Sequence, residues 1–185
     1  IFFVIPLTWF LLLPDNFLDF SYSILSSISM ISNIYFHYSG NHYGIFETTL
    51  KPLMHIWSIS LTQQFILFYP FFLFLIFSFF KKFSLNLLIL IFLFSLFFSN
   101  WASYNHPSFN FYMPPSRIWE FLLGGLLSIF ILREYLNIRN SKINILFILL
   151  GYLFLFTSLF FFDELWFHPS FYTLIPITGV LLIIF

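Results

Sequence analysis

The sequence predicts an all-α fold, a polytopic transmembrane helix bundle. Two compositional observations and one pattern carry that reading. Apolar residues make up 61% of the 185 residues and charged residues only 8%, against about 45–50% and 25% in ordinary soluble domains. So few charges cannot cover a water-facing surface of this size. The apolar residues also fall in dense runs, where barrel strands would alternate about every second residue. High hydrophobicity excludes a disordered chain. The seven Lys and Arg cancel the seven Asp and Glu, so no basic face exists to meet phosphates and nucleic acid is not an expected partner. The absence of Cys removes disulfides, thiolate metal sites and Cys nucleophiles. Phe supplies 33 residues. It also fills expected loops, at Phe109 and Phe111, which reads as drift in an AT-rich gene rather than selection for lipid-facing bulk.

The chain reads as a single membrane domain over residues 1–185. It opens inside one apolar run without Met and closes inside another, so the expectation is an internal stretch of a longer protein. The first expected span is 1–13, stopped by the turn chemistry of Pro14-Asp15-Asn16. Phe20–Phe36 is less apolar. It carries six Ser and Asn33, which are costly on a helix surrounded by lipid. It is therefore expected to be re-entrant or interfacial within a long outside segment; the plainer alternative is a span whose Ser hydroxyls bond back to the backbone. A polar loop follows at 37–51, with His37, His42 and Glu47. Further spans are expected at 62–80, 84–100, 116–132, 143–162 and 171–185, with an aromatic loop at 100–115.

Topology follows from the basic residues. Five of the seven sit in two short loops, Lys81-Lys82 and Arg133, Arg139, Lys142. The positive-inside rule puts both loops in the cytoplasm, and two intervening spans give the required parity. Residues 100–115 and 163–170 then face outward.

Two polar clusters could carry chemistry. The first runs from Lys51 through Pro52, His55, Trp57, Ser58, Ser60, Thr62, Gln63 and Gln64 into a membrane span. A helix from Pro52 would put His55 with Ser58, Trp57 with Ser60, and Ser60 with Gln64 on shared faces. So many hydrogen-bonding groups at a membrane boundary need partners or water. The alternative is interfacial anchoring by Trp and His. The second cluster is Pro115-Ser116-Arg117-Ile118-Trp119-Glu120, with Arg117 in a helix's first turn and Glu120 three residues on. An ionised pair just inside a membrane is expensive unless it faces protein or a wet cavity. It either steadies an oxyanion or phosphate, or fixes helix packing. Gly124, Gly125 and Ser128 offer a small-residue face. No His-x-x-x-His or Glu-x-x-His pair suggests a metal site.

These clusters resemble the integral-membrane acyltransferase 3 family. The family's stretch close to Leu-x-Pro-Leu-Leu-His-x-Trp-Ser-Leu-Ser-Val-Glu-Glu-Gln-Phe-Tyr stands here as Leu50-Lys51-Pro52-Leu53-Met54-His55-Ile56-Trp57-Ser58-Ile59-Ser60-Leu61-Thr62-Gln63-Gln64-Phe65-Ile66. Ser32-Asn33-Ile34-Tyr35-Phe36, Ser39-Gly40 and Tyr43-Gly44 are also similar to it. So is Pro115-Ser116-Arg117-Ile118-Trp119-Glu120-Phe121-Leu122-Leu123-Gly124 to the family's Pro-x-Arg-x-Trp-Glu-Leu-Leu-x-Gly. The resemblance covers residues 1 to about 130. In two places the chain departs from it. Thr62-Gln63 replaces the Glu-Glu pair, and Gln63 cannot titrate as a general base. The family's membrane His and Arg-x-x-Arg motif would lie upstream of Ile1, so only part of an active site is expected here.

The resemblance implies an enzyme of the bacterial inner membrane. It would move an acyl group, expected to be acetyl, from acyl-CoA to a hydroxyl of a cell-envelope glycan such as lipopolysaccharide or peptidoglycan. Its implied partners are membrane lipid, acyl-CoA and the acceptor glycan, with no bound cofactor and no metal. The candidate catalytic residues are Arg117, Glu120 and His55; the candidate substrate-binding residues are Trp57, Ser58, Ser60, Gln63, Gln64 and Trp119. The rival readings are a transporter or glycan/lipid flippase, and a non-catalytic remnant of the same family.

Overall fold

The computed structural model describes residues 4–39, 51–133, 141–163 and 168–185. His42, Glu47, Glu134 and Arg139 lie outside the described residues, as do Gly40, Tyr43 and Gly44 of the family resemblance. The described chain is helical, with no strand among the described residues. Its helices are α1 (Val4–Leu11), α2 (Pro14–Ile28), α3 (Ser32–Tyr38), α4 (Ile56–Phe79), α5 (Ser84–Asn105), α6 (Pro107–Tyr112), α7 (Ile118–Leu132), α8 (Ser141–Phe161) and α9 (Leu174–Ile184). Single 3₁₀ turns stand at Pro114–Ser116 and Phe171–Thr173.

Among the described residues, three helices are long and apolar enough to cross a membrane: α4, α5 and the Ile143–Phe161 part of α8, of 24, 22 and 19 residues. At a rise of about 1.5 Å per residue, each reaches roughly the ~30 Å of a bilayer's hydrocarbon core. Large apolar side chains face outward on them: Phe68, Phe71 and Phe74 on α4 and Leu159 and Phe160 on α8 are exposed. Lipid, not water, is the medium such surfaces suit. The helices α7 and α9 are apolar but shorter.

Several boundaries differ from the sequence reading. Residues 52–55 form a turn, with Met54 N–H on Lys51 O at 3.2 Å and Ile56 N–H on Leu53 O at 3.1 Å. The helix starts at Ile56, not at Pro52, because buried Leu53 and Met54 anchor that turn. The segment expected as a loop at 100–115 is mostly helical. Here α5 runs on to Asn105, His106 breaks it at φ −140° and ψ 65°, and Pro107 opens α6. A residue before Pro is pushed toward extended backbone, and Pro suits the first helical position. Arg117 is the N-cap of α7 rather than part of its first turn. Pro70 lies inside α4, where it removes one rung of the hydrogen-bond ladder.

The chain divides into two compact units, Ile1–Phe74 with Tyr112–Pro114, and Leu75–Phe111 with Pro115–Phe185. In the first, Phe36, Leu53, Met54, Trp57 and Leu61 form the buried core. The segment 20–36 is broken in two at 29–31. Met30 sits there at φ 59°, a left-handed conformation that costs a non-glycine residue about 1–2 kcal/mol. Gln64 Nε2 donates to Met30 O at 2.6 Å and holds the bend.

In the second unit, α5 packs on α7 through Leu88, Leu96, Trp119, Leu122 and Leu126, all buried. Helices α8 and α9 pair antiparallel, with Phe147 meeting Phe185 at 5.7 Å between ring centroids. Their crossing is built on two glycines. A Cβ on Gly151 would stand 2.6 Å from Gly179 O, and one on Gly179 would stand 2.9 Å from Gly151 O. Of the small-residue face expected at Gly124, Gly125 and Ser128, neither Gly124 nor Ser128 packs closely, and Gly125 is half-buried. A Cβ on Gly124 would meet nothing within 4 Å, and both Gly124 and Ser128 are exposed.

Candidate functional site

The first polar cluster is organised by the pairing of α3 with α4. Successive positions 57, 60, 61 and 64 share one face of α4. That face buries Trp57, Ser60 and Leu61 against the unit's interior. Ser60 Oγ lies 2.7 Å from Ser32 Oγ. Gln64 Nε2 donates to Asn33 Oδ1 at 2.9 Å, and Asn33 Nδ2 donates to Gln64 Oε1 at 3.4 Å. Asn33 Nδ2 also donates to Tyr112 O at 3.1 Å. The Tyr112 ring packs edge-on against Trp57, 5.4 Å between centroids. Ser32, Asn33 and Ser60 are wholly buried. Buried polar groups must be satisfied, and this network satisfies them while fixing α3 to α4.

The other side of α4, with the turn before it, is different. His55, Ser58 and Gln63 are exposed. Ser58 Oγ donates to His55 O at 3.1 Å, and Thr62 Oγ1 donates to Ser58 O at 2.9 Å. So the structure gathers Trp57, Ser60 and Gln64 on one face and turns His55, Ser58 and Gln63 outward.

The second cluster lies at the start of α7. Arg117 and Glu120 form an ion pair of 3.3 Å with side chains 17% and 18% exposed. One guanidinium nitrogen, Nη1, reaches both carboxylate oxygens, at 3.4 and 3.3 Å. Arg117 Nε donates to Phe111 O at 3.3 Å, and the guanidinium carbon stands 5.2 Å from the Phe111 ring centroid. The cation is thus fixed from three directions by a carboxylate, a carbonyl and a ring face.

Serines on α5 hold the segment that carries this pair. Ser95 Oγ donates to Pro115 O at 2.6 Å and accepts from Trp119 N–H at 3.2 Å. Ser116 Oγ donates to Asn110 O at 2.8 Å. Asn110 Nδ2 and Ser99 Oγ both donate to Pro169 O, at 2.7 and 3.2 Å. Trp119 and Asn110 are enclosed, and Trp119 Nε1 and Asn110 Oδ1 are buried without a hydrogen-bond partner. No protein-family model, curated protein or solved structure matches the chain.

Ser95, Ser99 and Asn110 were not singled out by sequence reasoning. A signal existed: Ser95, Ser99 and Ser103 recur every four residues along α5, and all three are buried. His168 borders the same neighbourhood. Its Nδ1 stands 3.4 Å from Thr173 Oγ1, and its ring stacks on Phe162. Burial, and secondly the charge of Arg117, hold its pKa below the ordinary value of 6.5.

Proposed function

We propose that the chain works in a membrane-embedded O-acyltransferase of the bacterial inner membrane, moving an acyl group, acetyl in the simplest case, from acyl-CoA to a hydroxyl of an envelope glycan. The observation that carries this reading is the largely buried Arg117, set at the mouth of an apolar helix and held by Glu120 and Phe111 O. The motif around it, together with that from His55 to Gln64, supplies the family resemblance. Acyl transfer to a hydroxyl needs a base for the leaving proton and a donor for the oxyanion of the tetrahedral intermediate. Arg117 suits the second role: its charge is permanent, its side chain is only 17% exposed, and Glu120 orients it. The resemblance implies a histidine as that base.

The test uses the complete gene product in membrane vesicles supplied with radiolabelled acetyl-CoA. Arg117→Ala should lower labelling of the glycan by about 10²–10³-fold, the usual cost of losing one oxyanion donor. Arg117→Lys keeps the charge but loses the planar fork and should fall between. Full labelling by both variants at normal membrane levels would reduce Arg117 to a packing role.

A further inference from the structure

Helix α2 is amphipathic the wrong way round for water. Its buried residues are Phe20 and three serines, Ser23, Ser26 and Ser27. Its exposed residues include Leu18, Tyr22, Leu25 and Ile28, between 54% and 64% exposed. The buried hydroxyls are spent on the helix itself: Ser23 donates to Phe20 O, and Ser26 and Ser27 donate to Ser23 O, at 2.6 to 2.9 Å. A helix facing water would show the opposite pattern. Between α2 and α3 lies an open groove of about 510 Å³, lined by Leu25, Ile31, Ile34, Tyr35 and Tyr38 with three serines and no charged residue. Two of those serines, Ser26 and Ser39, donate back to the carbonyls of Ser23 and Phe36, so they leave the groove apolar in character.

The depth of this groove follows from the bonds of α3 to α4. Ser60 and Gln64, which hold Ser32 and Asn33, lie ~6 and ~12 Å along α4 from Ile56. A helix of ~36 Å centred on a ~30 Å hydrocarbon core overhangs by ~3 Å at each end. Both anchoring points then fall at acyl-chain depth. A charged pair stands beside the groove: Tyr35 Oη donates to the main-chain carbonyl of Asp19 at 3.3 Å, and the Asp19 carboxylate pairs with Lys51 at 3.3 Å, both partly or fully exposed. An apolar floor beside a zwitterionic edge is the complement of a phospholipid, chain in the groove and headgroup at the ion pair.

We propose that the α2–α3 groove seats an acyl chain of a phospholipid from the surrounding bilayer. The inference rests on the membrane character of the chain, not on the acyl-transfer reading, and either can fail alone.

The experiment places a single Cys at Ile34 or, in a second variant, at Leu25 of the complete gene product, freed of other cysteines. Each is labelled with an environment-sensitive fluorophore and reconstituted in phosphatidylcholine nanodiscs. A Phe71→Cys label on exposed α4 reports correct insertion. Brominated acyl chains should lower the emission at 25 and 34 relative to unbrominated lipid, as at 71. Filling the groove with Leu25→Trp should then remove the bromine-dependent loss at 34 and leave that at 71 unchanged. Water-like, unquenched emission at 25 and 34 would overturn the proposal by showing an aqueous groove. Apolar but unquenched emission would overturn it in favour of a protein occupant. Quenching at 34 that survives Leu25→Trp would place lipid on the surface rather than in the groove.

Discussion

Asn33 and Gln64 grip each other through both ends of their amides, Gln64 Nε2 on Asn33 Oδ1 at 2.9 Å and Asn33 Nδ2 on Gln64 Oε1 at 3.4 Å. The pair joins a helix of 7 residues to one of 24. A helix as short as α3 is marginal on its own, so this junction, with Ser32 and Ser60, is what sets it in place. Gln64 also holds the left-handed turn at Met30.

Gln64→Ala should therefore cost more than a surface change. It takes the donor from the buried Asn33 Oδ1, while Asn33 Nδ2 keeps Tyr112 O, a loss of about 1–3 kcal/mol. Unfolding in mild detergent, followed by near-UV circular dichroism, measures it. A double-mutant cycle with Asn33→Ala should return a coupling of about 0.5–3 kcal/mol. Independent, additive losses would show that the two amides do not act as one unit.

The glycines of the second unit give a paired prediction. Gly151→Ala puts a methyl 2.6 Å from a backbone oxygen, which α8 and α9 can relieve only by separating. Overpacking of that kind costs about 1–3 kcal/mol. Gly124→Ala meets nothing within 4 Å and gains helix propensity of about 1 kcal/mol. Melting temperatures should move in opposite directions. Equal shifts would mean the α8–α9 crossing is looser than described.

His168 should make stability pH-dependent on the acid side. Burial first, and Arg117 second, keep its pKa below 6.5. The unfolded chain then binds this proton more readily than the folded one, so stability rises with pH across the range between the two values. It is complete above about pH 6.5, the ordinary histidine value, and lost progressively below it. His168→Gln should flatten that part of a stability-against-pH curve. An unchanged slope would assign the acid sensitivity to other groups.

The Lys81-Lys82 turn between α4 and α5 should lie in the cytoplasm, and His106, beyond the other end of α5, outside. Single-Cys variants at 82 and 106, in a complete protein freed of other cysteines, can be probed in intact cells with a membrane-impermeant thiol reagent. Position 106 should label and 82 should not; the reverse pattern would invert the topology.

Composition and run length alone determined the fold class and the approximate places of α4, α5, α7, α8 and α9, because a helix in lipid must satisfy its own backbone and wear apolar side chains on every face. The adjacency of Arg117 and Glu120 was also legible, since three residues along a helix bring two side chains together wherever the helix goes. What the sequence could not express was direction. The serines of 20–36 looked costly for a lipid-facing element because nothing local says that Ser23, Ser26 and Ser27 turn inward while Leu25 and Ile28 turn out. Gly124 looked like a packing contact, yet the close crossing formed at Gly151 and Gly179. The bend at Met30 has no glycine to announce it, and Gln64, thirty-four positions later in the chain, holds it. These outcomes depend on contacts between residues far apart in sequence, so only the tertiary structure could decide them.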